Sequence, residues 1–488
     1  MADQLAAAAL PAYGNGVART PSLDGLAGDG VVFESAYCNS PLCAPSRASL
    51  LSGRLPSRIG AYDNGAELTA SVPTLAHYLR ACGYFTCLAG KMHFIGPDQL
   101  HGFEERLTTD VYPAGTDWIP DWSRPVEERL PWYHDMSSVL EAGVSEATLQ
   151  LDYDEEVAFR SVRKLYDLAR SDDGRPFFLL VSFTHPHDPF EIPRAYWDRY
   201  DEVDLPRVGA LPLEEADPHS RRVRAMCGTD ETEIGEETVR RARHAYYAAV
   251  SYVDDKLGEL LRTLELTGLR DETIMLFCSD HGEALGERGL WYKMTFFEDS
   301  ARVPLVVHAP DRFAARRVAQ NVSLVDLLPT LVELAGGPAE PADPLDGSSL
   351  LPLLAGDGAR ASDTVSGEYL AEGTHAPCVM LRRGPYKYVH CPGDPDQLYD
   401  LARDPLELEN LEGHAELDSF RAEVAEHWDL DELHDEVVAS QRRRRFVTRA
   451  LASGEPVSWD YAPPDDSRDR YVRGADFWRP FGRARLRP

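Results

Sequence analysis

Two cysteines, two prolines, four serines and two arginines crowd into the run CNSPLCAPSRASLLSGR at residues 38–54. It is too polar for a core strand and too rich in small residues for an ordinary surface helix. Cys43 stands two residues before Pro45 and four before Arg47. From these residues alone it is a buried thiol, a disulfide partner or a reacting group, and the rest of the chain must decide.

Three further polar clusters follow short apolar runs. Lys91 and His93 stand in GKMHF, Thr184, His185 and His187 in THPHDPF, and Asp280 and His281 in SDHG, with Lys293 a short loop later. Asp3 opens the chain in MADQ. Each cluster alone reads as an ordinary loop. Together they place carboxylates, imidazoles and ammoniums where open α/β sheets bind ligands, beyond the carboxyl ends of strands. Two Asp and one His can hold a divalent ion, and mostly oxygen donors favour calcium or magnesium over zinc. Two Lys, Arg47 and several His around that ion would stabilise a tetrahedral oxyanion ester as its charge redistributes. That is sulfate- or phosphate-ester chemistry, and Cys43 is the candidate nucleophile.

The elements that must position these groups are legible in the apolar pattern. Residues 84–89, 176–183, 273–279 and 303–308 are short apolar runs bounded by turn residues and read as buried parallel strands. Helical periodicity covers 74–81, 152–170 and, most clearly, 236–267. Strands alternating with helices predict an α/β sheet covered on both faces. Near residue 365 the texture changes: 378–401 alternates and turns like an antiparallel hairpin, and a helix follows at about 414–444, ending in the RRRR of 442–445. We therefore expect a catalytic unit over 1–365, a small antiparallel α+β unit over 366–430, and a helix and tail over 431–488 acting as an oligomerisation arm.

Composition narrows the partners. The net charge of -31 argues against nucleic acid or an anionic membrane surface. Against that acidity, the RRRR run reads as a solvated or acid-paired face. Only five of the 50 basic residues are lysine, so Lys91 and Lys293 stand out in a chain that otherwise writes Arg. The eight cysteines form no dense framework or CxxC pair, which predicts free thiols in a cytoplasmic protein. No apolar run approaches the roughly 20 residues that span a bilayer.

On these residues the chain resembles the sulfatases of the alkaline-phosphatase-like superfamily. Residues 43–47 match that family's C-x-P-S-R signature, with LLSGR following. The likeness extends through YDNGAE, GKMHFIGPDQLHGFEERLTTDVYP, SFTHPHDPF, SDHGEALGERGLWYKMTFFE and the hairpin region, and within the family it is most similar to the choline sulfatases. The resemblance implies an alkaline-phosphatase-like fold and a maturation enzyme that oxidises Cys43 to formylglycine. The hydrated aldehyde would attack sulfur with one hydroxyl and expel sulfate through the other, splitting one hard step into two. It also implies Asp3, modified Cys43, Asp280 and His281 as metal ligands, for calcium first and manganese or magnesium otherwise. Arg47 and Lys91 would hold the formylglycine and sulfate oxygens, and His93 would deprotonate the second hydroxyl. His185 and Lys293 would bind sulfate, one of them protonating the leaving oxygen. Related phosphonate monoester and phosphodiester hydrolases, and aryl sulfatases, are the alternatives.

For a choline-like substrate the expected contacts are Asn64, Trp118, Trp132, Tyr133, His134 and Asp135, with Glu372 and the tail residue Asp476 adding charge; aromatic faces and carboxylates hold quaternary ammonium ions. The chain departs from the resemblance in two places. Gln4 stands where many sulfatases have a second Asp ligand, and Asp135 stands where choline sulfatases have Asn. Sulfatases also begin with an apolar strand leading into the first metal Asp, so the chain opening at Met1 is expected to lack a central strand, with poor stability or metal affinity. A homo-oligomer, dimer or tetramer, is expected, with no nucleic-acid or membrane partner.

Overall fold

The computed structural model describes residues 1–461 apart from 127, 202, 206–210, 339, 357, 359–361, 456 and 457. The site-bearing elements, in chain order, are β1 (Val31–Phe33), α1 (Cys43–Ser52), α2 (Leu75–Ala81), β2 (Phe85–Gly90), α3 (Leu149–Ala169), β3 (Phe177–Ser182), α4 (Glu236–Thr267), β4 (Met275–Cys278), β5 (Leu305–His308) and β6 (Arg316–Val318).

The apolar runs become strands because each is short, rich in β-branched and aromatic residues, and fenced by Gly, Pro or Asp. β2 and β3 pair in parallel, from Phe85 opposite Phe177 to Gly90 opposite Ser182. β4 and β5 pair antiparallel, with Leu305 opposite Cys278. β1 joins β5 antiparallel and β6 parallel. The run at 303–308 is thus a core strand, but it does not run parallel to β4. Its continuous apolar pattern reports burial on both faces and carries no information about direction.

The first residues of the chain join the two half-sheets. The Met1 ammonium donates to the Val181 carbonyl at 2.8 Å. Phe183 N donates to Met1 O and Ala2 N to Cys278 O, each at 3.0 Å. Asp3 is thereby delivered to the strand ends of β3 and β4. A groove of about 930 Å³ at the start of β3 has Phe177, Phe178 and Ile274 in its walls.

Helices cover both faces of this mixed sheet. All ten residues of α1 are buried, so the small residues of CAPSRASLLS serve close packing around Cys43. Helix α4 runs over the 32 residues its periodicity predicts, and its Tyr246, Tyr252 and Val253 are buried. Gly268 closes it in the left-handed conformation that glycine adopts without strain.

Beyond α5 (Leu327–Leu334), an antiparallel sheet is built from β7 (Thr364–Tyr369), β8 (Cys378–Arg383), β9 (Tyr386–His390) and β10 (Gln397–Asp400). Alternation splits its faces. Cys378 and Met380 enter the main core, while Val379 and Leu381 pack on Leu417, Phe420 and Val424 of α6 (Leu417–His427). Truncating the fully buried Phe420 to Ala would cost about 3–5 kcal/mol. Helix α7 (Leu430–Leu451) returns along the body, where Arg444 pairs with both Asp63 carboxylate oxygens at 2.7 Å and Arg445 with Asp121 at 2.6 Å. The basic run is thus acid-paired at two of its four residues. No helix among the described residues is long and apolar enough to cross a membrane.

Candidate active site

Three strand ends, the first residues of the chain and one helix start converge at Cys43. Asp3 arrives between β3 and β4, Lys91 and His93 follow β2, His187 and Asp188 follow β3, and Asp280 and His281 follow β4. Two glycines permit the approach. A Cβ at Gly90 would overlap the Ser182 carbonyl oxygen, and one at Gly282 would overlap that of Asp299.

Cys43 is the first residue of α1, and its Sγ stands where the reacting oxygen of the matured residue would be. That sulfur lies 3.2 Å from His281 Nε2 and 3.5 Å from Lys91 Nζ. Burial would raise the thiol pKa, but Lys91, Lys293 and His281 together pull it well below the ordinary cysteine range. The ligand atoms of Asp3, Cys43, Asp280 and His281 all lie within 4.8 Å of one another and are buried. Two carboxylates, one imidazole and an oxygen in place of Sγ fit a divalent cation. Burial beside Asp280 pushes Asp3 up to about 6. Asp280 is held well below the usual carboxylate range, because Arg47 outweighs its burial.

Arg47 is mostly a brace. Its Nε donates to Asp280 Oδ2 at 2.8 Å, and its Nη1 to the Lys91 carbonyl at 2.5 Å and Ser182 Oγ at 2.9 Å. Lys91 Nζ pairs with Asp3 and lies 4.2 Å from the Tyr112 ring centre. His93 takes a left-handed backbone, φ 57°, held by its amide donating to Asp110 Oδ2 at 2.8 Å. Both of its ring nitrogens are buried without a partner among the described residues. Lys293 Nζ sits 2.9 Å from His187 Nε2, 3.3 Å from His134 Nε2 and 2.7 Å from Gln4 Oε1.

These groups open onto a cavity of about 590 Å³ with Cys43, Asn64, Trp118, Trp132, His134, His187, Asp188, Lys293 and Glu372 on its wall. Asn64 Oδ1 accepts from the Ala44 amide at 3.0 Å, which ties the cavity to α1. Burial and the neighbouring Lys293 push His134 down to about 3, so its imidazole is neutral. Asp188 is held down at about 2 despite burial by His187, His134 and Lys293. Glu372 is pushed up to about 7 by burial, and both of its oxygens lack a hydrogen-bond partner among the described residues.

Two residues expected at the site make other contacts in the structure. His185 is not on the cavity wall: its Nδ1 meets Asp154 Oδ2 at 2.7 Å, its amide donates to the same oxygen, and its ring packs on Tyr252. His187, two residues on, lies beside Lys293, and the His185 Nε2 is buried without a partner among the described residues. The Asp135 side chain is exposed, accepts from the Ser137 amide at 2.8 Å, and is not on the cavity wall. Tyr133 lies behind the cavity beside Glu372. Asp476 falls outside the described residues. Sequence reasoning gave no role to Asp154, Asp188 or Tyr112. Asp188 could have been found as the only carboxylate in THPHDPF.

A carboxylate and imidazole ligand set beneath a nucleophile, ringed by buried cations at the strand ends of an α/β sheet, defines a metal-assisted hydrolase of oxyanion esters. The Sulfatase profile matches residues 1–337. Profiles described as N-sulphoglucosamine sulphohydrolase, C-terminal, and Choline sulfatase enzyme C terminal match 286–435 and 435–477. The choline-sulfatase of Rhizobium meliloti is 48% identical over 97% of this chain and 94% of its own length. An arylsulfatase of Clostridium perfringens is 29% identical over 84% of this chain and 89% of its own. The crystal structure of the phosphonate monoester hydrolase of Agrobacterium radiobacter superposes with a TM-score of 0.68 at 27% identity, covering 89% of this chain and 94% of that one. The chain belongs to the sulfatase family, and it is a sulfuric ester hydrolase. Membership implies a divalent metal and a formylglycine, and the buried group Asp3, Cys43, Asp280 and His281 has the donors to hold such an ion.

Proposed function

We propose that this enzyme hydrolyses choline sulfate to choline and sulfate. One observation carries the reading: the cavity that exposes Cys43 and Lys293 also exposes Trp118, Trp132 and the unpaired, buried carboxyl of Glu372. Indole faces and a carboxylate are what a quaternary ammonium requires. The 48% identity to the choline-sulfatase of Rhizobium meliloti supports it.

In this reading Asp3, Asp280, His281 and residue 43 hold the metal, calcium by preference since most donors are oxygens. Matured residue 43 supplies the nucleophilic hydroxyl, and the cation beneath it supplies charge stabilisation to the ester oxygens. Lys91 compensates Asp3 and presents its ammonium to the same sulfate oxygens. His93, buried against residue 43, is placed to accept that residue's second proton. Lys293 and His187 face the leaving group. An alkoxide is a poor leaving group, so a positioned proton donor there contributes about 10²–10⁴-fold.

A formylglycine-generating enzyme is the implied maturation partner. The exposed Phe446 and Val447 of α7 support a homo-oligomer, and eight unpaired cysteines support a cytoplasmic protein. The test is sulfate release by matured protein, with kcat/KM compared for choline sulfate, 4-nitrophenyl sulfate and a phenyl phosphonate monoester. Choline sulfate is expected to lead. A lead for either of the others would remove the cation pocket from the account.

A further inference from the structure

We propose that Glu283 is a positioning residue for Lys293, acting through the Gln4 amide. The inference rests on the reading of Lys293 as the group that meets the leaving alkoxide.

Glu283 is 1% exposed and stands outside the four-residue metal-ligand set. Its carboxyl holds Lys293 from two directions. Oε1 accepts from the Tyr292 amide at 2.6 Å, the residue directly before Lys293. Oε2 accepts from Gln4 Nε2, and Gln4 Oε1 in turn accepts from Lys293 Nζ at 2.7 Å. The backbone on both sides of Lys293 is left-handed, with φ 71° at Tyr292 and 80° at Met294. Side-chain-bearing residues persist there only where their surroundings hold them. Gln4 is left-handed too, at φ 63°.

The relay has a direction. The Gln4 amide turns its NH₂ to Glu283, with Asp188 Oδ1 at 3.4 Å, and its oxygen to the ammonium. A carboxyl at 283 offers acceptors to both of its donors. A carboxamide of the same shape, oriented to keep the Tyr292 bond, would face the Gln4 NH₂ with its own. Gln4 would then turn over and leave Lys293 facing a donor. The position that resembles a metal-ligand Asp in other sulfatases is here part of a clamp on the leaving-group side.

Leaving-group dependence separates this role from a structural one. Glu283→Gln is expected to lower kcat/KM about 10²-fold for choline sulfate but less than about 5-fold for 4-nitrophenyl sulfate, whose phenolate leaves without a proton. Gln4→Met, which removes the relay and leaves Glu283 in place, is expected to show the same selectivity. Adding Gln4→Glu to Glu283→Gln returns an acceptor to both neighbours and is expected to recover about tenfold on choline sulfate. Uniform loss on both substrates in Glu283→Gln and Gln4→Met, or no recovery in the double variant, would overturn the inference. Lys293→Ala separates the two readings. If its own loss is uniform, the role of Lys293 fails; if its loss is selective and that of Glu283→Gln is not, only the positioning role fails.

Discussion

Arg47 Nε lies 2.8 Å from Asp280 Oδ2, and both side chains are fully buried. The same guanidinium braces the ends of β2 and β3 through Lys91 O and Ser182 Oγ. Removing one partner of a buried pair strands the other charge, at about 3–5 kcal/mol. Arg47→Met should therefore lower Tm sharply. It leaves Asp280 without its guanidinium partner, so added calcium should recover part of the loss by binding the folded state. A melting curve with and without calcium checks both. A variant that melts like the parent would contradict the bracing role.

Glu372 ties substrate affinity to pH. With its carboxyl pushed up to about 7, it is charged above that pH and neutral below it. KM for choline sulfate should rise on acidification from about pH 8 to about pH 6, while Glu372→Gln should lose that dependence. The stability sign is opposite. A folded pKa above the unfolded value near 4.5 means stability is full below the unfolded pKa and is lost as pH rises through 7. Glu372→Gln removes a burden on the order of 3 kcal/mol at alkaline pH, so its Tm at about pH 8 should exceed the parent's. Equal Tm values there would contradict the buried charge.

Asp135, His187 and His185 give three different expectations. Asp135→Asn touches an exposed side chain that meets the Ser137 amide and should change KM for choline sulfate less than about 2-fold. His187→Gln removes the imidazole 2.9 Å from Lys293 and should lower kcat about 10²-fold or more. His185→Gln loses the Asp154 bond and should act mainly on Tm. Steady-state kinetics beside melting curves sorts the three. A kinetic effect larger for His185 than for His187 would reverse the assignment.

The fold was readable where period and punctuation agreed. Helix α4 occupies its predicted bounds because 32 residues of apolar spacing leave little room for another reading. β3 stands within the run PFFLLVSF for the same reason. The direction of β5 was not readable, since burial on both faces looks alike in parallel and antiparallel pairing. At the site, residue types at strand ends were enough to find Asp3, Lys91, Asp280 and Lys293. They could not show that His185 meets Asp154, on α3, which no local pattern connects to the loop. Asp135 misled for a related reason, because an acid two residues before Ser137 serves the backbone as readily as a ligand. Gln4 and Glu283, 279 positions apart, meet only in the folded chain.

The cation pocket is the central claim, and one ratio tests it. With matured enzyme, kcat/KM is measured for choline sulfate and for 3,3-dimethylbutyl sulfate, its neutral carbon isostere of nearly the same shape. The account predicts that choline sulfate is favoured by about tenfold or more, an advantage that shrinks in Glu372→Gln and in Trp118→Ala. Equal values for the two esters would show that shape alone is read, and would contradict the roles given to Trp118, Trp132 and Glu372.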